Sequence, residues 1–256
     1  MTHPFATQQI PFFLTASAPC PYLPGRMERK VFTRIEPGEG PALNDALTHA
    51  GFRRSQAVLY RPACEKCDAC RSVRIDTGHF IWKRRWRKIL SRNSDLRVST
   101  HAVAATMEQY ELLDRYLESR HHDGDMAGMS FGEFVMMIED GAQRTHLTEY
   151  RDAEGELVAA VLTDRLRDGL SMIYSFFDPD AGRRSLGAYM ILDAIRQAEL
   201  ASLPFVYLGY WVRGSRKMTY KAEFQPLQVL TPAGWQPHAE LEFEDEDDID
   251  CTPKHD

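Results

Sequence analysis

The strongest constraint on this chain is the order of its segments between residues 144 and 211. Three strand patterns, 144–151, 156–165 and 170–177, are separated by Glu154-Gly155 and Asp168-Gly169, dipeptides suited to hairpin turns. They predict an antiparallel meander. The loop Asp178-Pro179-Asp180 follows, then an amphipathic helix over 185–200 and, after Pro204, a strand over 205–211. This late strand, helix, strand unit is the key to the second half of the chain.

The first 62 residues read differently. Pro21, Pro24-Gly25, Pro37-Gly38, Pro41 and Pro62 punctuate them, predicting short strands and turns with one helix over 42–50 that stops at Gly51. A strand over 56–62 enters a cysteine turn and another over 71–80 leaves it, so strands and cysteines are expected to form one compact N-terminal unit. Between the halves, 83–92 and 106–120 have helical patterns. Ser130 with Glu133 three residues later predicts a capping box opening a third helix with Phe134, Met137 and Ile138. The expected fold class is α+β: a smaller cysteine-containing N-terminal α+β domain over 1–100, a second domain over 101–238, and an acidic disordered tail over 239–256.

Composition narrows the function classes. The 256 residues are 43% hydrophobic, 11% aromatic and 27% charged, as in a globular protein. No stretch of about 18 apolar residues occurs, and the N-terminus lacks a basic region before its short apolar segment. A membrane span and a signal peptide are therefore not expected, and the cytoplasm is. The net charge of −6 conceals a division, because 240–256 hold nine acidic residues against one lysine. The body is close to +2, and within it 71–97 carry nine Arg or Lys against Asp76 and Asp95. No G-x-S-x-G, Walker loop or H-E-x-x-H is present, which removes the commonest hydrolase and NTPase readings.

Four features carry chemistry. Cys64, Cys67 and Cys70 form C-x2-C-x2-C, and Cys20 is the obvious fourth donor for a structural zinc or iron–sulfur site; the competing reading is a set of small buried thiols holding a turn. Cys251, in the tail, takes no part. The helix start Arg184-Ser185-Leu186-Gly187-Ala188-Tyr189 matches the first four positions of the acetyl-coenzyme A loop Q/R-x-x-G-x-G/A, but Tyr189 is expected to crowd a pyrophosphate. An anion site at that helix start remains, against a reading in which Gly187 only permits close packing. Residues 205–224 set aromatics among Arg213, Arg216, Lys217 and Lys221, suited to stacking on bases while neutralising phosphate. Lys83, Arg84, Arg85, Arg87 and Lys88 add a second basic surface beside Trp82 and Trp86, which makes RNA or another polyanion the expected partner. The loop His121-His122-Asp123-Gly124-Asp125 reads as a turn rather than a metal site.

The order of meander, loop, helix and strand is that of GCN5-related acetyltransferases, and the dispersed motifs point further. Cys20-Pro21-Tyr22-Leu23-Pro24-Gly25, the run Leu59 to Cys70, Tyr174-Ser175-Phe176-Phe177-Asp178-Pro179-Asp180, Ser185-Leu186-Gly187, Tyr207-Leu208-Gly209-Tyr210-Trp211 and Lys217-Met218-Thr219-Tyr220-Lys221 occur in one order. Together they resemble the bacterial aspartate/glutamate leucyltransferases, relatives of the eukaryotic arginyl-tRNA protein transferases, over residues 10–236. The resemblance implies transfer of leucine from Leu-tRNA to the N-terminal α-amine of proteins beginning with Asp or Glu, marking them for degradation. It implies an acetyltransferase-like catalytic domain and no cofactor for the transfer itself. In the eukaryotic relatives the cysteines are associated with metal or iron–sulfur binding, and Cys20 and Cys70 look like matching positions; the Cys-Gly-Tyr-Cys of those relatives is Cys20-Pro21-Tyr22-Leu23 here, one thiol fewer.

An aminoacyl ester is already activated, so such an enzyme mainly orients the amine against the carbonyl. Tyr174 or Asp178 is expected to orient the amine or relay its proton, and Ser175 or nearby strand amides to meet the oxyanion. Tyr60, Arg61 and Arg74 are the candidates for the acceptor N-terminus, an acidic side chain calling for a bidentate cation. Arg184, Tyr210, Trp211, Arg213, Lys217 and Lys221 are assigned to the aminoacylated 3′ end, and 83–88 to acceptor-stem phosphates. Arginine as the donor, an acetyl-coenzyme A-dependent N-acetyltransferase and a metal-containing RNA-binding module stay open as alternatives.

Overall fold

A computed structural model describes residues 10–35, 40–120, 124, 126–140 and 144–241. Cys251, nearly all of the expected acidic tail and most of the His121–Asp125 loop lie outside the described residues. Strands β1 (Phe13–Leu14), β2 (Ala18–Pro19), β3 (Met27–Glu28) and β4 (Lys30–Arg34) lead to helix α1 (Gly40–His49). Then come β5 (Arg53–Ser55), β6 (Val58–Pro62), β7 (Cys70–Asp76), α2 (Arg84–Arg92), β8 (Arg97–Ala102), α3 (Met107–Arg120) and α4 (Phe131–Glu139). The second half is β9 (Thr145–Arg151), β10 (Leu157–Arg165), β11 (Gly169–Phe177), α5 (Leu186–Leu200), β12 (Phe205–Val212), β13 (Leu227–Thr231) and β14 (Gly234–Pro237).

Local chemistry accounts for the boundaries. Helix α1 ends because Gly51 sits at φ +88°, where a Cβ would also come within 2.6 Å of Leu230 Cδ2. Helix α4 starts in the expected capping box: Glu133 N donates to Ser130 Oγ at 3.3 Å, and Ser130 N donates to Glu133 Oε2 at 2.8 Å. The meander forms as expected, with β9, β10 and β11 antiparallel.

These strands belong to a sheet of eight in the order β14-β13-β7-β12-β11-β10-β9-β8; a smaller sheet has the order β1-β4-β6-β5. The structure corrects the expected domain plan here. Strand β7, read as part of an N-terminal unit, lies inside the large sheet between β12 and β13, and β8 forms its edge. A boundary at residue 100 therefore cuts through one hydrogen-bonded sheet. The reason is burial: Val73 and Ile75 are fully covered and need partners on both strand edges, which residues more than 120 positions away supply.

Both faces of the sheet are covered. Val161, Met190, Ile195, Val206 and Phe224 belong to the cluster on the α5 side, whereas Leu113, Phe134, Ile138, Leu162 and Phe176 pack with α3 and α4. From Ala159 to Leu162 neighbouring residues of β10 alternate between these clusters, so both faces of the apolar run Leu157–Leu162 are covered. The small sheet is fastened to the large one by a buried ion pair. Arg54 donates to Asp164 through Nε at 2.6 Å and Nη2 at 2.7 Å, while Thr145 Oγ1 and Asn44 Nδ2 donate to the same carboxylate at 2.7 and 2.8 Å. Among the described residues no helix is long and apolar enough to cross a membrane.

Candidate functional site

Strands β11 and β12 run parallel but pair only at Gly169↔Phe205, Leu170↔Val206 and Ser171↔Tyr207. Beyond that point both continue, unpaired with each other, and an opening lies between them. Irregularities on the two strands account for the divergence. The register of β10 against β11 skips Ile173, and that of β7 against β12 skips Leu208, next to Gly209 at φ +71°. Such bulges bend a strand and free its carbonyls.

Two cations take those carbonyls. Arg53, on β5, donates from Nη2 to Ile173 O. Its guanidinium lies so close to Gly209 that any Cβ there would overlap Nη1, which with the positive φ fixes glycine at this position. From the other side Lys221 Nζ donates to Leu208 O at 2.8 Å and Tyr210 O at 2.6 Å. Burial, and then the charge of Arg53, hold the Lys221 ammonium well below the usual lysine range. Tyr22, Tyr174 and Tyr210 lie near enough to feel the Arg53 charge; burial raises each phenol, and the charge of Arg53 opposes that shift.

Tyr174 and Ser175, two of the expected catalytic residues, lie on β11 beyond the point of divergence, both half-buried. Asp178 follows, but its Oδ1 accepts from Asp180 N at 3.0 Å and holds the turn. At the start of α5, Ser185 has φ +56° and makes no side-chain cap. Arg184 is bound to both oxygens of Asp95 at 2.8 and 2.9 Å, which holds that carboxyl below its usual range, so its guanidinium is already paired. Tyr189 does not crowd this loop. It is buried edge-on against Tyr150 at 5.6 Å, which removes the steric reason for discounting a coenzyme A pyrophosphate there, while Gly187 lets Phe177 approach to 3.4 Å from the missing Cβ.

Trp86 of α2 is buried and stacks on Phe224 with centroids 4.6 Å apart, leaving Lys83, Arg84, Arg87 and Lys88 exposed. Arg85 is engaged by Glu223 at 2.8 Å and lies over the Trp86 ring. Arg92 donates to Arg183 O, and Asn93 Nδ2 to Arg184 O at 2.9 Å, tying α2 to the loop before α5. Lys217 is exposed, and Arg213 faces Asp68 at 3.5 Å.

Several expected contacts with the 3′ end are corrected. Tyr210 and Trp211 are buried because β12 is an inner strand covered on both faces, and Lys221 is buried in the turn that follows, with its Nζ on the Leu208 and Tyr210 carbonyls. The Tyr210 hydroxyl lies 2.9 Å from Tyr60 O and 3.1 Å from Gly51 O, and Trp211 packs edge-on against His238. The acceptor candidates also separate. The Tyr60 ring lines the cysteine cavity, whereas exposed Arg61 lies over Phe52 at 5.1 Å. Arg74 is buried between Phe205 at 3.5 Å and Trp235 at 4.3 Å, with its donors on Gln228 and Tyr207. It sits four residues along β7 from Cys70, about 13 Å, so it cannot share a pocket with Tyr60.

Cys20, Cys64, Cys67 and Cys70 do line one cavity. Burial, and then the proximity of Cys20, Cys67 and Cys64, pushes the Cys70 thiol up to about 12. Among the described residues, however, no three His, Cys, Asp or Glu side chains stand together as a set that could hold a metal ion. The four thiols share the walls of that cavity.

The residue that sequence reasoning missed is Arg53. The available signal was the pair Arg53-Arg54 in a strand too short to be all surface: alternation sends the two guanidiniums to opposite faces, one to Asp164 and one to the β11–β12 opening.

Comparison with known proteins gives the relationship. The N-terminal and C-terminal family models of arginine-tRNA-protein transferase match residues 18–88 and 108–231. A protein of Maricaulis maris named aspartate/glutamate leucyltransferase is 78% identical over 98% of this chain and 100% of its own length. Proteins of the same name from Caulobacter vibrioides (57% identical, 92% of this chain, 86% of theirs) and Parvibaculum lavamentivorans (54%, 93% and 99%) also match. The solved structure of L-PGS from Bacillus licheniformis is similar at a TM-score of 0.40 and 14% identity, covering 66% of this chain and 50% of that one. By the extent and identity of these sequence matches, the chain belongs to the aspartate/glutamate leucyltransferase family, within the arginine-tRNA-protein transferases.

Proposed function

We propose that this chain transfers leucine from leucyl-tRNA to the N-terminal α-amine of proteins beginning with Asp or Glu, creating a degradation signal, in the cytoplasm where charged tRNA is found. The observation that carries the reading is the divergence of β11 and β12, with Tyr174 and Ser175 just beyond the last paired residues and Arg53 between the strands. Sequence identity to relatives carrying that name supports the donor and acceptor. The order β9-β10-β11-α5-β12 and the divergence of the two parallel strands support an acetyltransferase-like catalytic domain.

The chemistry asks little beyond positioning. A free α-amine titrates near 7.7 to 8.0, and nearby positive charge lowers that value, enlarging the neutral, nucleophilic fraction. The amine nitrogen attacks the ester carbonyl, the carbonyl electrons move to oxygen, and collapse expels the ribose oxygen of the tRNA as the new amide forms. The amine proton leaves to solvent or through the Tyr174 hydroxyl, with the ribose oxygen reprotonated. The Ser175 hydroxyl and the amides of β11 freed by the divergence meet the developing oxyanion. No cofactor enters, because the ester already stores the activation. Lys83, Arg84, Arg87 and Lys88 take acceptor-stem phosphates, and Lys217 the 3′ end.

The test is mass spectrometry of peptides beginning with Asp, Glu, Lys or Ala, incubated with the protein, total tRNA, the matching synthetases and leucine or arginine. A leucine mass on the Asp and Glu peptides alone, abolished by ribonuclease, is expected. An arginine mass would overturn the donor, and no mass shift with active synthetases would overturn the reaction.

A further inference from the structure

We infer that Arg53, inserted between β11 and β12, is the residue that binds the side-chain carboxylate of the acceptor's N-terminal Asp or Glu. The inference rests on the reaction proposed above and names the specificity determinant of that same site. Three observations on the structure carry it.

The first is charge. Among the described residues no carboxylate hydrogen-bonds either Arg53 or Lys221, and the groups acting on the buried Lys221 ammonium include Arg53 but no acid. Arg53 is thus a half-buried cation with no counterion among the described residues, and an anion brought to its guanidinium supplies one. The other arginines held within the fold contrast with Arg53: Arg54 has Asp164, Arg184 has Asp95, and Arg74 lies 4.0 Å from Asp168.

The second is geometry. One N–H of Arg53 is used by Ile173 O, leaving four donors of a planar fork that matches a carboxylate. Arg53 is not free to wander. Gly209 leaves only enough room for the guanidinium, and the adjacent Arg54 clamps β5 through its two bonds to Asp164. Preorganisation of this kind favours one ligand geometry.

The third is reach. In an N-terminal Asp or Glu the α-nitrogen and the side-chain carboxylate oxygens are separated by only about 3 to 5 Å from covalent geometry. A carboxylate held by a guanidinium bonded to Ile173 therefore leaves the amine beside Tyr174 and Ser175, the next two residues of β11. Recognition of the acid and positioning of the nucleophile become one event. A nucleic-acid phosphate is the competing anion, but Arg53 is half-buried near Tyr22, Tyr174 and Tyr210, whereas Lys83, Arg84, Arg87, Lys88 and Lys217 are exposed cations.

The test compares kcat/KM for peptides beginning with Asp, Asn, Glu and Gln in the full chain and in Arg53→Met and Arg53→Lys, with Leu-tRNA binding measured in parallel. The full chain is expected to prefer Asp over Asn by about a hundredfold or more, as a site built around a charged hydrogen-bond partner does. Arg53→Met should bring Asp and Asn within a few-fold of each other while Leu-tRNA affinity is unchanged. Arg53→Lys keeps the charge but not the fork, so it should raise KM for Asp with a smaller change in kcat; it carries the test if Arg53→Met does not fold. An undiminished Asp preference in either folded variant overturns the inference. Loss of Leu-tRNA affinity in proportion to activity also overturns it, assigning Arg53 to phosphate. If the full chain transfers no leucine to any peptide, it is the reaction, rather than the role of Arg53, that fails.

Discussion

Arg54→Leu should destabilise the protein far more than any surface arginine, and the magnitude can be worked from the Arg54–Asp164 contact. Both side chains are 1% exposed, and Asp164 accepts four hydrogen bonds, two of them from Arg54. Removing the guanidinium leaves a buried carboxylate held by Thr145 and Asn44 alone, and losing one partner of such a pair costs about 3 to 5 kcal/mol. Asp164→Leu should cost a similar amount, since it strands a buried guanidinium. In the double variant both charges are gone, and what is lost is about 1 to 3 kcal/mol for each of the two polar groups left unsatisfied, Asn44 and Thr145, a total comparable with one single variant rather than the sum of two. The double variant is therefore expected to be no worse than either single one, a coupling of roughly 3 kcal/mol or more. Urea unfolding followed by both circular dichroism and tryptophan fluorescence measures all four proteins. Single variants within 1 kcal/mol of the parent, or additive losses, would refute the view that this pair fastens the small sheet to β9 and β10.

The remaining expectations are quicker to state. Neutralising Lys83, Arg84, Arg87 and Lys88 to Gln should reduce the slope of log affinity for tRNA against log salt by about 3, at roughly 0.7 to 0.9 per phosphate; an unchanged slope would remove α2 from the tRNA surface. Because the Cys70 thiol is pushed up to about 12, iodoacetamide at pH 8 should label it more slowly than Cys20, Cys64 and Cys67, and preferential labelling of Cys70 in peptide maps would contradict its burial. Lys221 has a folded pKa below its unfolded one, so between the two values the unfolded chain binds the extra proton. Stability should then rise with pH through that window, up to about 10.4, and Lys221→Met should flatten the rise; an identical pH dependence in a folded Lys221→Met would show that the lysine is charged in the fold.

How far the sequence could be read depended on the range of the interactions involved. The capping box at Ser130 and Glu133, the meander and the α5–β12 unit are set by neighbours within a few positions, and each forms where expected. Strand β7 was legible as a strand but not as a member of the large sheet, since its partners β12 and β13 come more than 120 residues later. The same limit misdirected the site. Tyr210, Trp211 and Lys221 sit in a segment whose alternation of aromatics and cations looks like a nucleic-acid surface, yet an inner strand buries the two aromatics and the turn after it buries the lysine. Arg74 sits beside the cysteine turn in sequence, but strand geometry carries it about 13 Å away to an aromatic cage.

Composition and local pattern determined that this chain folds, where most of its helices and strands run, and, through dispersed motifs in one order, the family to which it belongs. Tertiary structure alone decided which cations face solvent and which are inside, because sheet neighbours determine burial and nothing in a strand's own residues states whether one face or both will be covered. That is why the basic helix α2 could be read from KRRWRK, while Arg53, an ordinary arginine in a three-residue strand, becomes notable only once β11 and β12 part around it.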